Sequence, residues 1–143
     1  INNHLSSIDE TGKDAVRSLL RIGLHWDVQV TQPDPAHEVS QAYCSALPVA
    51  YSSLPSDEWE PFARTVLEAT YEACLLAARE NMVRTGNRVV YLTLVGGGAF
   101  GNEADWIIDA MRRAIDLLPG TGLDVRIVHH REVHQGCIGL ERG

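Results

Sequence analysis

Basic side chains are scarce and nowhere clustered: 143 residues carry 12 Lys and Arg against 19 Asp and Glu, a formal charge of −7. Nucleic-acid backbones reward runs of lysine and arginine, so a nucleic-acid partner is not expected. Any phosphate that so acidic a chain recognises must be held locally, by backbone N–H groups rather than by a long-range positive field. Cysteine is equally sparse. Cys44, Cys74 and Cys137 are odd in number, widely spaced and without a Cys-x-x-Cys pair. That pattern argues against a disulfide framework or a structural zinc site, and it sets a reduced, cytoplasmic environment as the expected setting. Long hydrophobic runs are missing too. No stretch approaches the roughly 18 apolar residues of a membrane span, and no basic segment leads into an apolar one at the N-terminus, so no membrane partner is expected. The chain begins at Ile1 without a methionine, which leaves two expectations side by side: a complete domain, or a piece of a longer protein.

What is present is enough for one hydrophobic core, with 45% of the residues apolar. Residues 1–143 are therefore expected to form a single α/β domain. Ser7 and Glu10 have capping-box spacing, and Ala15, Val16, Leu19, Leu20 and Gly23 follow at helical intervals, which predicts a helix over about 9–24. Residues 28–31 read as a short alternating strand, and Pro33, Asp34 and Pro35 as a loop. Residues 39–51 read as a strand with an irregular end near Pro48. Ser56 is placed as an N-cap with Asp57 and Glu58 favourably set against the helix dipole. From there Trp59, Phe62, Ala63, Val66, Leu67, Tyr71, Cys74, Leu75 and Ala78 keep a three-four spacing, predicting a helix over about 57–81. Residues 89–95 are a nearly unbroken apolar run, which suits a central strand buried on both faces. Asn102 is placed as the cap of a further helix with Trp106, Ile107, Ala110, Met111, Ala114, Ile115 and Leu118 inward, and residues 123–129 read as the last strand. The alternation predicts a mainly parallel or mixed sheet flanked by helices in three layers, with ligands beyond the carboxyl ends of its strands.

The loop at that address is Gly96, Gly97, Gly98, Ala99, Phe100, Gly101 and Asn102. Glycine admits positive φ and lets a ligand reach the main chain, successive N–H groups can form an anion-binding concavity, and Phe100 offers a face to a ribose or base. A tight strand-to-helix turn that binds nothing is the plain alternative, but four glycines in six residues exceed what a turn needs. Gly96-x-Gly98-x-x-Gly101 also matches the dinucleotide fingerprint. Against that match, the helix begins after the motif, Glu103 and Asp105 occupy its first turn, and the next strand ends in His129, His130 and Arg131 with no acidic residue, although Arg131 would suit a 2′-phosphate.

Residues 39–129, taken together, resemble the C-terminal half of a macrodomain. The order is strand, long helix, strand, glycine loop, helix, strand, and Gly98-Ala99-Phe100-Gly101 is similar to the family's Gly-x-Phe/Tyr-Gly loop. The resemblance implies a three-layer macrodomain-like fold and a loop wrapped around the diphosphate of ADP-ribose. It implies an ADP-ribose-type small molecule or an ADP-ribosylated substrate as partner, with no cofactor. The family's Asn-Ala-Ala-Asn-like segment and separate triple-glycine loop do not occur in residues 1–40. The resemblance therefore assigns no catalytic residue. It leaves an ADP-ribosyl hydrolase-type activity, or a non-binding domain that assembles with a further segment or second chain, as alternatives to binding.

Other polar and aromatic groups have plainer readings. His130, His134 and Cys137 are close in sequence but match no metal motif, so no metal is expected. His129, at the end of the last strand, reads as a core-edge or solvated histidine. Cys44 lacks a neighbouring base and reads as a small buried hydrophobe, whereas Ser45 or the bend at Pro48 could face the ligand. Trp59, Phe62 and Tyr71 read as core.

Overall fold

The structure, a computed structural model, describes residues 1–31, 37–130, 132–138 and 140. In chain order the elements are α1 (Asn2–Ser7), α2 (Glu10–Arg17), β1 (Gly23–Gln29), β2 (Glu38–Tyr43), a 3-10 turn (Val49–Tyr51), α3 (Ser56–Thr85), β3 (Val89–Thr93), α4 (Ala104–Asp116), β4 (Asp124–Val128) and a second 3-10 turn (Gln135–Cys137). The expected loop at Pro33, Asp34 and Pro35, and Arg131, lie outside the described residues.

The three-four spacing of the middle of the chain forms the 30-residue α3, which runs past both expected ends. Pro55 rather than Ser56 occupies the N-cap, while Asp57 and Glu58 do lie in the first turn. Gly86, with φ +78°, ends the helix in the left-handed conformation that glycine tolerates. Along one side Ala63, Leu67, Tyr71 and Leu75 are fully buried. They pack with Ile107, Ala110, Met111 and Ala114 of α4, Leu92 of β3, and Ala46 and Val49 of the segment before α3. The inward stripe expected for α4 is thus the stripe observed. Its cap is not: Glu103 takes the N-cap position without a side-chain bond.

α4 is the crossover between β3 and β4, which pair in parallel from Val89 opposite Asp124 to Thr93 opposite Val128. The expectation of a central strand buried on both faces is corrected here. Among the described residues β3 has β4 as its only ladder partner, and Tyr91 is 63% exposed. The strand also stops at Thr93, because the Val95 N–H turns back to Thr93 O at 2.9 Å.

The N-terminal third departs most from the sequence reading. The helix expected over 9–24 is present only as α2, Glu10–Arg17, with Asp9 as its cap, the carboxylate accepting from the Gly12 N–H at 2.9 Å, and the separate α1 precedes it. From Gly23 the chain is β1, antiparallel to β2 in a separate two-stranded sheet, so the strand expected at 28–31 starts five residues earlier and the one expected at 39–51 ends at Tyr43. The reason is visible in the partners. α2 is fastened by ions: Arg17, 7% exposed, binds Glu68 of α3 at 2.6 Å and Asp14 at 2.6 Å. β1 is fastened at the irregular step between His25 and Val28, where Asp27 has φ +54° and accepts a two-pronged hydrogen bond from Arg84 of α3 at 2.7 and 2.8 Å. The architecture is therefore a small α/β protein with two small sheets. Among the described residues no helix is long and apolar enough to cross a membrane.

Candidate functional site

The glycine loop leaves the carboxyl end of β3 and enters α4, the address expected from the sequence. Its root is tied by Tyr71 of α3. The buried hydroxyl donates to Thr93 O at 2.7 Å and accepts from the Val95 N–H at 2.9 Å. Burial raises the Tyr71 pKa well above the ordinary phenol value, so the group stays a neutral donor and acceptor.

Within the loop, Gly97 N–H donates to Leu94 O at 3.1 Å, Gly101 N–H to Gly98 O at 3.0 Å, and Asn102 N–H to Gly96 O at 3.0 Å. Asn102 is the clasp. It is 4% exposed, and its Nδ2 donates to Leu47 O at 2.8 Å and again to Gly96 O at 3.3 Å. Residue 102 therefore closes the loop and binds it to the 44–51 segment, and it is not the helix cap that its position suggests. Its Oδ1 is buried and meets no donor among the described residues. A second tie joins the Ala50 N–H to Phe100 O at 2.9 Å.

The four glycines differ in what demands them. Gly96 has φ +81°, and a Cβ there would lie 2.4 Å from Ala46 Cβ; Gly101 has φ +68°, and a Cβ would lie 2.7 Å from Ala50 Cβ. Both are required by the backbone and by close packing. Gly97 is hemmed in by Ile107, at 3.1 Å from a would-be Cβ. Gly98 alone has neither a positive φ nor any neighbour within 4 Å. The N–H groups of Gly98, Ala99 and Phe100 form no hydrogen bond among the described residues, and Gly97, Gly98 and Ala99 are exposed. Three consecutive main-chain donors thus stand at the surface beside the half-buried Phe100 ring.

Tyr51 belongs to the same surface. Its ring meets Phe100 edge-on, with centroids 5.7 Å apart, and it is 70% exposed. In the sequence it falls at the end of the strand expected over 39–51. The signal available was an aromatic residue directly after the Pro48 bend, and what made it invisible is that the bend folds across the loop. Ser45, by contrast, spends its hydroxyl on Ala46 O at 3.1 Å.

Among the described residues no hydrogen bond joins the other expected groups to this surface. His129 is half-buried and His130 exposed at the end of β4. His134 accepts from the Gly136 N–H at 3.2 Å through Nδ1, and Cys137 is buried. Among the described residues no three His, Cys, Asp or Glu side chains gather as a metal site. Two depressions lie elsewhere: one of about 390 Å³ on the outer face of α4 beside Asp109, Arg112 and Asp116, and one of about 230 Å³ among α1, α2, α3 and α4, where Arg17, Arg64 and Arg113 are already ion-paired. The loop is an exposed ledge with free donors and an aromatic flank, suited to an anion that brings its own bulk. No family model matches the chain, and no curated protein and no solved structure is similar enough to count as a relative.

Proposed function

We propose that residues 96–102 bind the diphosphate of ADP-ribose or a related nucleotide, within a macrodomain-like α/β unit over about 39–129. The observation that carries the reading is Gly98. The chain's own backbone and packing explain glycine at 96, 97 and 101 and give no reason for it at 98, where the main chain is open to approach. Phosphate oxygens accept from the unpaired N–H groups of Gly98, Ala99 and Phe100, and the ribose lies against Phe100 with Tyr51 widening the aromatic surface. The ADP-ribose kind is favoured by the likeness of Gly98-Ala99-Phe100-Gly101 to the macrodomain diphosphate loop. A site of this type depends on local donors, which is the form of phosphate binding open to a chain of charge −7.

Calorimetry with ADP-ribose, NAD and ATP on the wild type and on Gly98→Glu tests the reading. Because a side chain at 98 meets nothing within 4 Å, the variant keeps the fold. The expected result is saturable ADP-ribose binding by the wild type, weakened at least about 100-fold by the added carboxylate, with melting temperature unchanged. A folded wild type that takes up none of the three nucleotides overturns the proposal. Binding of ATP without ADP-ribose overturns the ADP-ribose assignment.

A further inference from the structure

Cys44 and Cys74 are 30 residues apart in sequence, yet their Sγ atoms lie 3.6 Å apart, in sulfur–sulfur contact. Both thiols are half-buried. Cys74 sits on α3 one turn beyond Tyr71, whose hydroxyl ties the root of the glycine loop. Cys44 opens the irregular segment that walls the same loop through Ala46, Leu47 and Ala50. The third cysteine, Cys137, forms no sulfur contact among the described residues, and burial raises its pKa.

We propose that Cys44 and Cys74 are a redox-active dithiol that a hydroperoxide closes to a disulfide, tethering the wall of the glycine loop to α3. The Cys44 thiolate attacks the distal peroxide oxygen. An S–O bond forms as the O–O bond breaks, and the alkoxide leaves as an alcohol after taking a proton, so Cys44 becomes a sulfenic acid. The Cys74 sulfur then attacks the Cys44 sulfur. The S–S bond forms, the S–O bond breaks, and the hydroxide leaves as water with the Cys74 proton. In sum two thiols and one hydroperoxide give one disulfide, one alcohol and one water, the sulfurs losing two electrons and the peroxide gaining them.

The roles follow from the contact. The hydrogen bond from Cys74 pulls the Cys44 thiol down to about 7, against the opposing effect of burial. The same bond and deeper burial push Cys74 up, so the pair gives up one proton readily and holds the other. Cys44 supplies the nucleophilic thiolate and Cys74 the resolving thiol. Bonding requires the sulfurs to approach by about 1.5 Å to the usual disulfide length. The part free to give is residues 44–48, which belong to no helix or strand. A shift there moves Ala46 against Gly96 and Leu47 O against Asn102. The disulfide forms whichever ligand the loop takes.

The test treats the full chain with a small excess of tert-butyl hydroperoxide, followed by intact mass, peptide mapping and amide hydrogen exchange. A Cys44–Cys74 disulfide within one chain is expected. Its rate of formation should rise with pH through about 7. In Cys74→Ser the reaction should stop at a Cys44 sulfenic acid that dimedone traps, and in Cys44→Ser thiol loss should slow about tenfold or more. Exchange at residues 96–102 should change about threefold or more on oxidation of the wild type and not in Cys44→Ser. A folded wild type that keeps its thiols, or that links through Cys137 or between chains, overturns the dithiol. A Cys44–Cys74 disulfide that leaves exchange in the loop unaltered overturns the tether.

Discussion

Position by position, the glycine loop separates residues that serve the fold from residues that serve the surface. Adding a methyl group at Gly96 or Gly101 forces an L residue into positive φ and drives a Cβ to 2.4 or 2.7 Å from an alanine of the wall. Each Ala variant is expected to lose roughly 2–4 kcal/mol in urea denaturation, the sum of left-handed strain and overpacking. Gly98→Ala, with open space and an ordinary φ, should stay within about 0.5 kcal/mol of the wild type. Equal losses at all three positions would refute this division. Asn102 permits a sharper comparison, because its Nδ2 points at two carbonyls. In Asn102→Asp a carboxylate oxygen would face Leu47 O and Gly96 O with no donor between them. That variant is expected to lose about 3 kcal/mol or more, and more than Asn102→Ala, which merely leaves the carbonyls unpaired. If the Asp variant proves the more stable of the two, the clasp is misassigned.

For the elements, legibility in the sequence depended on whether an element is held by apolar spacing or by a particular partner. α4 could be read because Trp106, Ile107, Ala110, Met111 and Ala114 bury one face of it, and a 3.6-residue period records such a face directly. The apolar run after Asn87 likewise gave β3, and the place of the loop followed from the two. The end of α2 could not be read, because its last turn is anchored by Arg17 reaching Glu68, 51 residues away, and no local period encodes an ion pair across the fold. The helical spacing of Leu19 and Leu20 continued past the true end only by coincidence, for Leu19 is 72% exposed. The Cys44–Cys74 contact and the Tyr51–Phe100 contact were hidden for the same reason: each joins segments distant in sequence that only tertiary packing brings together. The anchoring by partner is testable in Tyr71→Phe. The loss of the hydroxyl that serves both Thr93 O and the Val95 N–H should lower stability by about 1–2 kcal/mol. It should also raise hydrogen exchange at Val95 more than at Leu92. A uniform rise across β3 would mean that the hydroxyl stabilises the core rather than the loop's root.

Over the whole molecule, arginines hold together what hydrophobic spacing does not. Arg17 binds Glu10, Asp14 and Glu68; Arg113 joins Asp14 to Glu72; Arg64 joins Glu60 to Asp109. α2 thus rides on α3 and α4 through ion pairs whose carboxylates are mostly exposed, so each pair is individually weak and the set acts together. The pH dependence follows from sign. The Glu10 carboxyl is held below its ordinary value, first by the hydrogen bond from Lys13 and then by Arg17. A depressed folded pKa means that the unfolded chain binds protons first. The stabilisation is therefore complete above the unfolded carboxylate range, near pH 4–5, and is lost as pH falls through the lower folded value. Asp27 beside Arg84 and Asp124 beside Arg126 shift in the same direction. Unfolding midpoints in urea are accordingly expected to be level from pH 8 to about 5 and to decline below about 4. Arg17→Met keeps the buried stem and removes the charge. It should lower stability by about 1–2 kcal/mol at pH 7 and flatten the acid decline, so that the two curves converge near pH 3. Parallel curves down to that pH would show that Arg17 contributes through packing and not through its carboxylate partners.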